Sequence, residues 1–130
     1  MTPRNPRIVY VVTEDWYFWS HRLDLARAAR DTGFDVTVAT RVTAHGERIR
    51  QEGFTLVPLG LVRRSRNPLE EAKVISQLVH LYKTVRPHVV HHVAMKPILY
   101  GSLASWMVGV PVVINAFAGL GYTFTDERIR

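Results

Sequence analysis

The side chains best suited to chemistry stand in short clusters. Glu14-Asp15-Trp16-Tyr17-Phe18-Trp19-Ser20-His21-Arg22 packs four aromatic rings between two acids and a basic pair. Trp and Tyr join an apolar body to a polar tip, which suits a stacking platform for a sugar or a wedge at a membrane interface. The structural alternative turns two rings inward and lays the others over a neighbouring loop. His91 and His92 are adjacent, with Lys96 and Pro97 just beyond. A lysine at a helix start opposes the helix dipole, and that cost points to a phosphate, which helix N-termini attract. Gly119 and Gly121 permit either a tight turn or close approach of backbone to ligand. Arg63, Arg64 and Arg66 form a basic cluster suited to phosphates or an anionic membrane surface. Arg48 with Arg50 and Arg128 with Arg130 add to a net charge of +6.

Several chemistries are excluded. The chain has no cysteine, so disulfides, thiol catalysis and cysteine-based zinc sites fall away. His91 and His92, as strand neighbours, point to opposite faces and cannot share a metal. No helix carries a histidine pair at i, i+4, so no metal site is expected. A dinucleotide site needs glycines after the first strand, where this chain has Thr13-Glu14-Asp15-Trp16-Tyr17-Phe18-Trp19-Ser20. Glu14 and Asp15 together with Met95-Lys96-Pro97 echo a response-regulator receiver. The echo fails because no aspartate ends the third strand and the lysine follows the fourth.

These residues need a scaffold. At 130 residues and 47% hydrophobic content the chain is one globular domain with a sizeable core. Ile8–Val12 reads as a buried strand. Ser20 is placed to N-cap a helix bearing Leu23, Ala26 and Ala29 that stops at Gly33. Phe34–Thr40 alternates as a second strand, and Thr43 is placed to cap a short helix carrying Ile49. Phe54–Pro58 is a third strand. Asn67, Pro68 and Glu70 make a capping box with proline in its favoured slot, opening a helix through Val85. His88–Val93 is a fourth strand. No charge occurs between Pro97 and Thr125, but Gly109, Pro111 and Asn115 interrupt the run. The expectation is a buried helix, Pro97–Val108, then a buried strand, Val112–Asn115, rather than a membrane span.

The alternation predicts an α/β fold: a Rossmann-like three-layer α/β/α domain with a mainly parallel five-stranded sheet. Ligands in such folds bind beyond the carboxyl ends of the strands. The segments at that edge are Glu14–His21, Arg41–His45, Gly60–Asn67, His91–Lys96 and Ala116–Thr125, which take in the aromatic stretch, Arg63, Arg64 and Arg66, the His91–Lys96 group and the Gly119–Gly121 loop.

In order and spacing the motifs resemble the N-terminal half of family 4 glycosyltransferases of GT-B architecture, as in bacterial polysaccharide, O-antigen and glycan-carrier assembly. The matching pieces are "FWSHRLDLARAARDTGFDVTVAT", "GFTLVPLGLVRRSRNPLEE" and "RPHVVHHVAMKPILYGSLASWMVGVPVVINAFAGLGYTF". They carry Arg22 at the first helix, Ser65 with Asn67 and Pro68 at the third, His92 and Lys96 after the fourth strand, and Gly119-Leu120-Gly121. The resemblance implies a two-domain enzyme. Its N-terminal domain binds a glycan acceptor, often lipid-linked. Its C-terminal domain, with an E-x7-E motif, holds a nucleotide sugar as donor substrate. No further cofactor or metal is implied, and the location is the cytoplasmic face of the membrane, as a peripheral contact.

Neither the glutamate pair nor a histidine after the fifth strand occurs here. The expectation is an acceptor-binding domain, inactive alone, with its catalytic residues unknown and a homo-dimer conceivable through an exposed interdomain face. Trp16, Tyr17, Trp19, His21, Arg22, His92, Lys96, Gly119 and Gly121 are the expected acceptor-side residues. The competing reading is a non-enzymatic Rossmann-like domain that binds a nucleotide, a phosphate or a protein. Nucleic acid is not expected, since rings and arginines lie mostly in different segments.

Overall fold

The computed structural model describes residues 5–61 and 67–117. The strands are β1 Arg7–Glu14, β2 Asp35–Arg41, β3 Thr55–Pro58, β4 Val89–Val93 and β5 Val112–Ala116. They form one sheet in the order β3-β2-β1-β4-β5, with every pairing parallel. The helices are α1 Asp15–His21, α2 Leu23–Thr32, α3 Gly46–Gln51, α4 Pro68–Val85 and α5 Met95–Val108.

Alternation along β1 sends Ile8, Tyr10 and Val12 to one face and Val9 and Val11 to the other. On the first face α1, α2 and α3 supply Phe18, Leu23, Ala26 and Ile49. On the second, α4 and α5 supply Val74, Leu78, Leu81, Tyr82 and Ala104. Each fully buried aliphatic or aromatic side chain contributes about 1.5–3 kcal/mol, which fixes the helices onto the sheet. The result is the expected three-layer Rossmann-like domain.

The ends of α4 follow from local chemistry. Asn67 Oδ1 accepts from the Leu69 N–H at 3.0 Å, with Pro68 at the first helical position. At the other end Arg86 turns left-handed at φ 53°, and the Arg7 guanidinium from β1 donates to the carbonyls of Val85 and Arg86. Gly33 (φ 114°) and Gly109 (φ 86°) end α2 and α5 as left-handed caps.

Four local expectations are corrected. The aromatic stretch is helix rather than loop: α1 begins at Asp15 without a side-chain cap, and Ser20 lies in its last turn. Tertiary packing decides this, because buried Phe18 sits edge-on to Tyr10 (5.9 Å) and Phe54 (6.1 Å). Thr43 does not cap α3; His45 holds that position and the Thr43 hydroxyl is used elsewhere. Helix α5 starts at Met95 and buries only one side, leaving Leu99, Leu103, Trp106 and Met107 exposed. Strand β5 is an edge strand, with Val112, Val113 and Ile114 exposed rather than buried.

An ion-pair cluster ties α2 to the end of α3. Arg27 and Arg30 both reach Glu52, at 2.6 and 3.2 Å. The hydrogen bond from Arg27, joined by that from Arg30, outweighs desolvation and holds the Glu52 carboxyl down to about 2. A depressed folded-state value stabilises fully above the unfolded value of 4.5 and is lost as pH falls from there towards 2. Glu52→Gln is therefore expected to remove part of the acid-induced loss of stability in that window. Identical acid-unfolding curves for both proteins by circular dichroism would refute this.

Candidate functional site

The chain crosses from β1 to β2 in one direction and from β4 to β5 in the other. The carboxyl ends of β1 and β4 therefore flank the topological switch point, where open α/β sheets bind ligands. Helix α1 rises from one side of this crevice and the β4–α5 turn forms the other. That turn is strained. Ala94 adopts φ 79°, ψ 166°, a region normally kept for glycine and costing about 1–3 kcal/mol. It is held by hydrogen bonds from the Ala94 N–H to the Ala116 carbonyl and from the Ile98 N–H to the Ala94 carbonyl, both 3.0 Å.

Helix α1 distributes its rings unevenly. Phe18 is fully buried, Tyr17 and Trp19 are half-buried against the core, and Trp16 is exposed. Trp16 Nε1 donates to Glu14 Oε2. Tyr17 stacks on His21 with centroids 4.1 Å apart and planes 9° from parallel. Trp19 leans towards His45, and the Arg48 guanidinium lies over its ring at 5.6 Å. Trp16 and the Tyr17–His21 stack are thus the parts of the cluster open to a ligand, while Trp19 is partly roofed by Arg48.

The structure adds Asp15, which the motif reading set aside together with the receiver comparison. Its carboxylate is buried and accepts from Thr43 N–H (2.8 Å), Thr43 Oγ1 (2.6 Å) and His45 N–H (2.8 Å). Burial pushes its pKa up, but these bonds, from Thr43 and His45 above all, overcome that and hold it below 3.8. Asp15 therefore fixes the loop after β2 beside α1. An acid following a strand was visible in sequence; its partner loop was not.

The two histidines diverge as alternation requires. His92 is fully buried on the α4–α5 face. Its Nε2 meets Tyr82 Oη at 2.7 Å and its Nδ1 meets Asn115 Oδ1 at 2.9 Å, while Asn115 Nδ2 reaches Ser102. A neutral ring satisfies this chain, with Nδ1–H donating to Asn115 and Nε2 accepting from Tyr82. Burial lowers the His92 pKa, with the Asn115 bond opposing. Gly101 of α5 packs directly on this ring. His92, expected at the cleft, is thus engaged inside the fold. His91 lies on the α1–α2 face against Tyr10, ring centroids 5.2 Å apart. Burial, with Arg22 and His92 adding to it, pushes its pKa down to about 4. Arg22, at the joint between α1 and α2, uses Nη1 to bond the His21 carbonyl.

Lys96 lies on the second face, half-buried in a recess with Glu70, Glu71 and Tyr100. Those acids oppose a phosphate at that spot. The structure therefore gathers Trp16, Tyr17, His21 and Arg22 on the α1 side and separates them from His92 and Lys96. Arg63, Arg64, Arg66, Gly119 and Gly121 lie outside the described residues. Among the described residues no group of His, Asp and Glu side chains could hold a metal ion. No helix among them is long and apolar enough to cross a membrane.

A parallel sheet of this order with a switch-point crevice is shared by many α/β enzymes, so the sequence itself decides. Residues 7–129 match the profile of the glycosyl transferase 4-like family. The chain belongs to that family. Among curated proteins no relative matches it in sequence. Solved structures agree with the fold. A glycosyltransferase from Rickettsia africae superposes with TM-score 0.72 at 12% identity, over 94% of this chain and 34% of its own. MurG from Acinetobacter baumannii superposes with TM-score 0.67 at 14% identity, over 85% of this chain and 34% of its own. The C-terminal domain of a Pyrococcus furiosus hydrogenase also superposes, with TM-score 0.63 at 14% identity over 90% of this chain and 96% of its own. The glycosyl transferase 4-like domain thus spans about a third of the two transferases it resembles.

Proposed function

We propose that this domain binds the acceptor side of a GT-B glycosyltransferase reaction in which a nucleotide sugar, held by a second domain, donates to a lipid-linked glycan of cell-surface polysaccharide synthesis. The observation that carries this reading is α1 at the switch point. It sets exposed Trp16, the Tyr17–His21 stack and Arg22 where a dinucleotide fold would have a glycine-rich phosphate loop. Rings with polar tips and one arginine suit a sugar and its anionic carrier better than a nucleotide pyrophosphate. Exposed Trp16 together with the basic surface favours a peripheral contact with anionic lipid. On this reading the 130-residue domain is expected to bind acceptor without transferring sugar.

The test uses intrinsic tryptophan fluorescence of the 130-residue chain. A prenyl-diphosphate-linked saccharide is expected to give a saturable change, and a UDP-sugar none. Trp16→Ala is expected to weaken the saccharide by about 1–2 kcal/mol, the range for loss of one exposed aromatic contact. Saturable binding of the UDP-sugar, with no response to the saccharide, would reverse the assignment and favour a nucleotide-binding domain.

A further inference from the structure

Two nitrogens beside the switch point are buried and have no hydrogen-bond partner among the described residues: Arg22 Nε and His91 Nε2. Buried polar atoms in native proteins are almost always bonded, and each orphan costs about 1–3 kcal/mol. A short chain of contacts links the two: the Arg22 backbone N–H bonds the Phe18 carbonyl, the Phe18 ring meets Tyr10 at 5.9 Å, and Tyr10 lies against the His91 ring at 5.2 Å. The sheet register places them at a border. Val38, Tyr10, His91 and Ile114 are aligned neighbours across β2, β1, β4 and β5. Along that row exposure runs 0%, 1%, 7% and 43%. His91 is therefore the last residue covered by the helical layer before the bare strip of Val112 and Ile114.

We propose that Arg22 and His91 form a two-donor cradle for a phosphate oxyanion. This deepens the acceptor reading and rests on it only for the source of the phosphate. The chemistry selects the ligand. Arg22 has no carboxylate within 4.0 Å among the described residues, whereas Arg27 and Arg30 each have two and Arg50 has one. An anion compensates that charge; a sugar hydroxyl does not, and a metal cation is repelled by it. His91 is uncharged at neutral pH and, with its proton on Nε2, adds a second donor without adding charge. A phosphate oxygen accepts both, in the charge-assisted manner for which arginine is suited. Val112 and Ile114 give the ester group of such a phosphate an apolar floor.

The experiment follows the imidazole resonances of the chain by NMR while inorganic pyrophosphate or geranyl diphosphate is added. A saturable shift at His91 is expected, with its pKa raised from about 4 because a bound anion favours the imidazolium. Arg22→Ala is expected to weaken binding by about tenfold or more, the scale of a hydrogen bond to a charged group. Arg22→Lys keeps the charge but lacks the Nε–H, so a comparable loss there separates the cradle from general attraction and serves if the alanine variant does not fold. Tighter saturation by geranyl diphosphate assigns the oxyanion to a lipid phosphate; tighter saturation by pyrophosphate assigns it to a soluble one. A His91 that does not move, or that moves without saturating as expected of exposed His80 on α4, overturns the proposal, as does a saturable shift that survives both Arg22 variants. No donor sugar is involved. If His91 responds while the linked saccharide fails to bind, the acceptor reading fails and the cradle stands.

Discussion

Replacing Gly101 with alanine is expected to cost about 3 kcal/mol or more of folding stability, although alanine is the better helix former. A Cβ built at Gly101 lies 2.2 Å from His92 Nε2 and 2.3 Å from Cδ2. That ring has nowhere to go. It is fully buried, with one nitrogen bonded to Tyr82 and the other to Asn115. Either the ring turns and orphans Tyr82 and Asn115, or α5 lifts from β4. The first path loses buried hydrogen bonds at about 1–3 kcal/mol each, and the second opens the core between α4, α5 and the sheet. A double-mutant cycle isolates the cause. In a His92→Ala background the same Gly101→Ala change is expected to be neutral or mildly stabilising, because the added methyl enters vacated space. Chemical denaturation of the four proteins measures both numbers. A single-variant loss below about 1 kcal/mol, or an equal loss in both backgrounds, contradicts the account.

The cycle also marks where sequence reasoning stops. That His91 and His92 face opposite ways follows from strand alternation alone, and the structure agrees. Which of them is engaged inside the fold depends on Tyr82, Gly101 and Asn115, which come from three other elements. No local pattern announces that meeting. The same division holds elsewhere. The cap at Asn67, the glycine stops and the β-branched strands are local signals, and they located the elements and their parallel arrangement. Edge position is not local: β5 reads as buried because it is apolar, yet sheet order leaves it at the rim. The helical start at Asp15 overrode a plausible serine cap because burial of Phe18 outweighs a capping bond of about 1 kcal/mol. At the candidate site, the α1 rings stood out by residue type and Arg22 by the family resemblance. His91 and Asp15 emerged only from what surrounds them.

Asp15 carries the second large effect. Asp15→Ala is expected to destabilise the domain by about 2–4 kcal/mol, since it strands two backbone donors and a hydroxyl that one buried carboxylate now accepts. Asp15→Asn is expected to recover much of the loss. Both backbone N–H groups bond the same oxygen, Oδ2, so an amide oxygen there keeps them, and the Thr43 hydroxyl can turn to accept from the NH2 group. The loss is local in its first effect. With the anchor gone, the turn through Thr43 and His45 is released from α1, and with it the neighbours of Trp19, which meets His45 and lies under Arg48. Amide exchange at Thr43 and His45 is therefore expected to quicken before the global unfolding transition moves. Acid should imitate the mutation. The Asp15 pKa is lowered in the folded state, so its stabilisation is complete above 3.8 and drains away as pH drops below that value. The alanine variant lacks this component, so its stability should fall less steeply over the same range. Slow exchange at both amides in the variant, with a stability within about 1 kcal/mol of the parent, would mean that the loop holds itself and that Asp15 is not its anchor.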